Sequence, residues 1–445
     1  MDANVDRREF LAAASAAGAS FCMSSARAGE DKPAILGGKP VRRGGFPGWP
    51  AIDPGAEKAL SEVLQSGRWY RGGGTKVAQF EKAFADLMGA PFCVATASGT
   101  AALYASLSAL EAGPGTEVIL PPYTFQATLT VILWQYALPV FVDTDPETFQ
   151  MDPRKIEAAI TDRTAAILPV HIGGGVADME SILAVAEKRK IPVVEDACQA
   201  HLAEFRGRKV GTWGTAGCFS FQVSKHLCAG EGGAILTRDE DMAARCYAFH
   251  DCYRRRPGGP APDPARIGGR GGNLRMTEFQ GALLLAQMNL IEEKARTREQ
   301  NADYLTGLLR EIPGIRPAGR YTGTTRVGYH MYMLRYQKEH FAGLSRAKFL
   351  NALRAEGIPA GGGYSPLNKE PFLRAALESK AYRRIYPKEL LEGWEERNQC
   401  PVNDQLCQEA VWFHQNMLLG PRSDMDQIAE AIRKIHAHAA EIAKA

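Results

Sequence analysis

The stretch FSFQVSKHLCAGEGG, residues 219–233, decides how this chain is read. A single lysine, Lys225, follows an apolar-and-serine run and precedes a cluster of glycines. The pattern around Phe219 and Phe221 predicts a short buried strand, and Gly230, Gly232 and Gly233 allow backbone turns that other residues resist. A lysine presented where a strand ends is poorly explained as a solvated charge. Desolvation there lowers the amine pKa and makes the neutral form a nucleophile toward carbonyl carbon. That is Schiff-base chemistry, and it sets what the rest of the chain has to supply.

The chain has 445 residues, enough for two domains with ample core. Its 45% hydrophobic and 23% charged content is that of an ordinary globular protein. A net charge of +3 is too small to argue for nucleic acid or an anionic membrane surface as partner. Nine cysteines are scattered with no CxxC pair, so no metal site is legible. Cys198, Cys218 and Cys228 read as packed thiols.

The first 28 residues stand apart. Residues 6–28, DRREFLAAASAAGASFCMSSARA, pair Arg7 with Arg8, pass through a weakly apolar Ala-rich run and end in Ala26-Arg27-Ala28. This resembles a twin-arginine export signal cleaved after Ala28, and the run is too short and too Ala/Ser-rich to span a bilayer. The expected location is periplasmic or secreted; without a working signal it is cytoplasmic.

From Gly29 onward, strand-like and helical stretches alternate. Strands are predicted at 92–97, 117–120, 139–145, 165–171 and 192–197, with helices at 99–110 and 179–190. Short apolar runs ending in polar residues and alternating with helices predict an α/β fold, a mainly parallel sheet with helices on both faces. Ligands bind such sheets at the carboxyl ends of the strands. Residues 282–312 read as one long amphipathic helical run, with Thr277 and Gln280 at capping-box spacing before it. The expected division is a large domain with an N-terminal arm over 29–310 and a smaller C-terminal α+β domain over 311–445, the latter with a strand at 330–336 and helices near 346–356 and 424–445.

A site for pyridoxal 5'-phosphate needs four things. The phosphate needs N–H donors at a helix start and hydroxyls: Ser98, Gly99 and Thr100 sit between a strand and a helix, and Ser220 lies five residues before Lys225. On its own the first group is just as well a helix cap. The pyridine nitrogen needs a carboxylate: Asp196 ends a strand, and its neighbour Glu195 points to the opposite face. A lone strand-end Asp is equally a solvated acid. Gln199 is placed to reach the ring hydroxyl. The ring face needs an aromatic, and Phe125 lies just past a strand end, where a core phenylalanine is the plainer reading. The last need is Lys225, which also moves a proton between substrate carbon and cofactor.

The segments ASGTAALYASLSAL, PPYTFQAT, VVEDACQAH, FSFQVSKHLCAGEGG and GGNLRMTEFQGALLLAQ, taken in order, resemble the DegT-type family of sugar aminotransferases, which have the type I (aspartate-aminotransferase) fold. The resemblance runs from about Gly38 to the C-terminus. It implies pyridoxal phosphate as cofactor and Lys225 as the Schiff-base lysine. It places Asp196 at the pyridine nitrogen, Gln199 near the ring oxygen, Phe125 on the ring, and Gly99, Thr100 and Ser220 at the phosphate. Asn273 corresponds to a residue that reaches the phosphate of a neighbouring subunit, which implies a homodimer with shared sites.

This chain departs from the family at His226, where Asn is usual, at Cys198, where Ala is common, and at Leu202, where Gly is usual. In a dehydratase branch a histidine replaces the lysine; here the spacing from Ser220 puts Lys225 at that position, and His226 reads as a hydrogen-bonding neighbour. The wording FSFQxSK…GEGG and GFPGWP (45–50) is most similar to the branch acting on keto-cyclitols, the scyllo-inosose aminotransferases. The expected reaction is ping-pong transfer of an amino group from glutamate or glutamine to a keto-cyclitol or keto-sugar. A sugar dehydratase using the same cofactor, or a non-catalytic regulator on the same fold, are the competing readings. Tyr364, His330 and the run Tyr253-Arg254-Arg255-Arg256 are candidates for the substrate pocket, though a solvated basic loop accounts for the arginines equally well.

Overall fold

A computed structural model describes residues 32–263, 266 and 270–445; the export signal expected over residues 1–28 lies outside them. Seven short strands form the central sheet: β1 Phe92–Thr96, β2 Glu117–Leu120, β3 Leu138–Phe141, β4 Thr164–Ile167, β5 Val194–Asp196, β6 Ala216–Ser220 and β7 Gly233–Thr237. They pair as β1-β7-β6-β5 and β3-β2-β4, and parallel bridges Ile167↔Val193 and Val170↔Asp196 join the two halves. β7 is antiparallel to both neighbours, and the remaining pairs are parallel.

Strand residues alternate between two cores, which is why these runs are apolar throughout. Val94, Val118, Leu120, Val194, Cys218 and Ile235 face a first core, built with helices Gly99–Ala109, Ala127–Trp134 and Glu240–His250. Ala95, Ile119, Ile167, Phe219, Ala234 and Leu236 face a second, built with helices Lys76–Met88, Met179–Arg189 and Glu278–Met288. Helices therefore cover both faces of a mainly parallel sheet, as the sequence predicts.

The run at 282–312 is two helices, not one: Glu278–Met288, started by the Thr277/Gln280 capping box, and Ile291–Arg310. Leu284 of the first helix sits in the second core; the other helix begins in that core at Ile291 and carries Ala302, Leu305 and Leu309 into a third core. The third core lies under an antiparallel sheet of β8 Ile315–Pro317, β9 Met331–Tyr336 and β10 Ala410–His414, with helices Arg346–Ala355 and Arg422–Ala437. Leu36, Val41 and Phe46 of the N-terminal arm pack on this same core, while Leu373, Leu377, Tyr382, Tyr386 and Trp394 join the first. The expected C-terminal helix is also divided, at His438. No described helix is long and apolar enough to cross a membrane, and no described cluster could hold a metal ion.

Candidate active site

The carboxyl ends of β1, β2, β5 and β6 converge. β6 leads to Lys225 through a turn that its flanking residues hold closely. Phe219 and Phe221 are fully buried against Phe84 and Phe80, with edge-on centroid distances of 5.2–5.4 Å. Phe221 N donates to Gly232 O and Val223 N to Gly230 O, while Gly230 at φ +79° and Gly232 at φ +155° supply backbone that L side chains rarely adopt. Gln222 Oε1 accepts from Ser224 N and Oγ, at 2.9 and 2.6 Å. Lys225 Nζ then lies 3.3 Å from His330 Nε2. Burial pushes the Lys225 amine below its ordinary range, opposed by the nearby Cys198 and Asp196. Among the described residues, no ion pair involves Lys225.

Asp196 is buried at the end of β5. Its Oδ2 accepts from Thr128 Oγ1 at 2.8 Å, and its Oδ1 from Cys198 N at 3.2 Å. Glu195 does point to the other face, where it accepts from Gly211, Trp213 and Gly214 N–H, each at 2.7 Å, and meets His171 Nε2 at 3.0 Å. One strand end thus presents two carboxylates with opposite duties: Glu195 pins a turn and Asp196 faces the crevice. Gln199 is held on both sides, its Oε1 accepting from Gly173 N at 2.9 Å and its Nε2 donating to Tyr364 OH at 3.0 Å.

Ser98 caps the helix beginning at Gly99 by accepting from Ala101 N at 3.0 Å. That leaves the first N–H groups, at Gly99 and Thr100, without helical partners. A Cβ on Gly99 would come within 2.8 Å of both Cys198 Sγ and Ser220 Cβ, so only glycine lets this helix start sit against the ends of β5 and β6. Phe125 follows β2 and is 52% exposed, its ring face free. The sequence candidates from four strand ends therefore meet at one place. Asn273 does not join them within the chain: it is exposed, bridged to Asp251.

Some participants were not legible. Thr128 holds Asp196, but nothing in PPYTFQAT marks it except its position one turn past Phe125. His201, His226 and His330 come from three separate segments into a buried row, with ring centroids 5.4 and 5.8 Å apart. His226 is buried within this row, against the Tyr329 backbone. Arg298 is fully buried beyond them, over the Trp49 ring, with only Nε paired, to Gln415 Oε1 at 2.7 Å. Burial alone lowers its pKa to about 9.

This donor set fits pyridoxal phosphate. Free N–H groups at a helix start suit a phosphate. A buried carboxylate fixed by Thr128 suits a protonated ring nitrogen, an exposed aromatic suits a ring face, and a desolvated amine suits a carbonyl carbon.

The fold and site are those of a type I pyridoxal-phosphate-dependent transferase. More particularly, the chain belongs to the DegT/DnrJ/EryC1/StrS aminotransferase family, whose profile matches residues 50–433. It is similar to the L-glutamine:2-deoxy-scyllo-inosose aminotransferase of Streptomyces fradiae, at 39% identity over 427 residues, covering 92% of this chain and 99% of that one. It is also similar to the L-glutamine:scyllo-inosose aminotransferase of Streptomyces griseus, at 37% identity over 428 residues, covering 92% and 99%. Among solved structures, 3-amino-5-hydroxybenzoic acid synthase superposes with a TM-score of 0.78 at 31% identity, covering 90% of this chain and 100% of that one. A Bacillus subtilis protein, NtdA, solved with bound cofactor PMP, superposes with a TM-score of 0.70 at 25% identity, covering 86% and 81%. The chain is an aminotransferase by family.

Proposed function

We propose that this aminotransferase uses pyridoxal phosphate to take an amino group from glutamine or glutamate and give it to a keto-cyclitol, in two successive half-reactions. The observation that carries the reading is the pairing of a desolvated Lys225 with a buried, hydrogen-bonded Asp196 at adjacent strand ends. When bound, the cofactor supplies a carbonyl carbon that exchanges amines and a ring that withdraws electron density. Lys225 would hold that carbon through its Nζ and would serve as the base and acid that carries the proton at the substrate carbon. Asp196 keeps the ring nitrogen protonated, and Thr128 keeps Asp196 aligned. Gln199 holds the ring oxygen, Phe125 covers the ring, and Gly99, Thr100 and Ser220 hold the phosphate. Asn273 serves the site of a second subunit, so the active form is a homodimer.

The printed names of the Streptomyces relatives support glutamine as donor and an inosose-type ketone as acceptor. An export signal in residues 1–28, if it works as one, would favour a free cyclitol or sugar over a nucleotide-linked sugar, because nucleotide sugars are made in the cytoplasm. Two experiments test these points. The purified enzyme, loaded with its amino form, is offered keto-cyclitols and keto-sugars and the products are analysed. An amino-cyclitol is expected, and a deoxygenated sugar overturns transamination in favour of dehydration. For export, a mature chain starting near Gly29 is expected outside the cytoplasm and is lost on R7K/R8K; a full-length cytoplasmic chain overturns it.

A further inference from the structure

Among the described residues Lys225 has one side-chain hydrogen-bond partner, and it is not a carboxylate. The atom facing Nζ is His330 Nε2 at 3.3 Å, and His330 is itself buried. Behind it stands His226 at a centroid distance of 5.8 Å, and behind that His201 at 5.4 Å. The groups facing Nζ besides His330 are Asp196 and Cys198. Asp196 has both oxygens engaged, by Thr128 and by Cys198 N. The groups facing His330 are Lys225, His226, His201 and His414. Arg298 lies beyond His201 and His226 and adds positive potential there. Every neighbour of the row is thus neutral or cationic apart from Asp196, and imidazolium is disfavoured throughout: burial first, then these charges, hold His226 and His330 well below their ordinary range.

The physical consequence concerns what a reactive amine requires. A carboxylate beside Nζ would stabilise ammonium and remove the lone pair. Bare apolar walls would leave the amine neutral but unaimed. In the tautomer that carries its proton on Nδ1, a neutral imidazole accepts one amine N–H at Nε2 and leaves the lone pair free to point elsewhere.

We propose that His330, backed by His226, is the positioning residue of Lys225: a neutral acceptor that fixes where Nζ points without stabilising its charge. This rests on the reading of Lys225 given above. It also gives a use to His226, whose ring packs against His330.

The test compares the holoenzymes of wild type, H330F, H330N and H330D in the glutamine half-reaction across pH. H330F removes the acceptor, and kcat is expected to fall by about 10²-fold with little change in KM, the cost of a misplaced reacting group. H330N restores an acceptor and is expected to recover part of that loss with the wild-type pH midpoint. H330D places a carboxylate beside Nζ and is expected to move the acidic limb of the profile upward by about one pH unit or more. If H330D does not fold, H330Q against H330L carries the same comparison, with recovery expected only in H330Q. An active wild type whose H330D profile superimposes on it, or whose H330F loss falls in KM alone, overturns the placement of His330; equal loss in H330Q and H330L does the same. A wild type that never reacts with glutamine or glutamate overturns the reading of Lys225 instead, and this inference with it.

Discussion

Asp196 shows how one residue's duty depends on its partners. Both oxygens are used, one by Thr128 and one by a backbone N–H, so its direction is fixed before any ligand arrives. Asp196→Asn keeps the shape and removes the charge. It is expected to weaken cofactor retention by about 3–5 kcal/mol, the usual cost of breaking a buried ion pair, with the fold intact by circular dichroism; unchanged cofactor affinity contradicts the role given to Asp196. The buried imidazoles make a separate prediction. Burial lowers His201 and His250 from an ordinary 6.5 to about 3. Below 6.5 the unfolded chain takes up protons that these folded side chains refuse, so stability is full above about 6.5 and falls as pH drops toward 3. Each such histidine contributes at most about 1.4 kcal/mol per pH unit. Denaturant unfolding across that range should show the slope, and His201→Phe should flatten it. Lys225, Asp196 and Gln199 were legible because each terminates an apolar run in a polar side chain of the right chemistry. Thr128, Arg298 and the histidine row were not, since their meaning lies in contacts between segments far apart in sequence, such as Lys225 with His330 and Arg298 with Trp49.

At the scale of elements, the strands and most helices were legible because periodicity and capping act locally. The Thr277/Gln280 capping box formed where its spacing placed it. The break near Asn289 was not legible, because no glycine or proline marks it and the apolar pattern runs on through Leu290 and Ile291. Glu278 illustrates the same limit. It reads as an ordinary first-turn acid, yet it is buried and accepts from Lys76 N at 2.6 Å and Val77 N at 3.1 Å. It therefore caps a helix two hundred residues earlier in the chain. Glu278→Ala strands two buried N–H donors and is expected to cost about 2–4 kcal/mol, measured as a drop in denaturant midpoint at unchanged m-value. A loss under half a kcal/mol would show that solvent replaces the carboxylate freely.

At the scale of the whole molecule, four strand ends bring their groups into one crevice, while the small antiparallel sheet contributes His330 from the start of its middle strand. A single chain leaves Asn273 exposed, and with it the aromatic side chains of Trp69, Tyr70, Phe125, Trp134 and Tyr136. Sedimentation should therefore give a particle of two chains. Mixing inactive Lys225→Ala and Asn273→Ala proteins, then allowing subunits to exchange, should restore part of the activity, because one site of each mixed dimer regains both residues. Activity that never returns in mixtures whose exchange is verified contradicts shared sites. The central claim is that Lys225 is the amine that holds the cofactor and carries the proton during amino transfer, and one measurement reaches it directly. Wild-type protein reconstituted with pyridoxal phosphate is reduced with borohydride and digested, and the modified peptide is identified by mass. The account predicts a phosphopyridoxyl group on Lys225 alone, with glutamine added before reduction protecting that lysine. Label on another lysine, or on Lys225 with glutamine giving no protection, would contradict it.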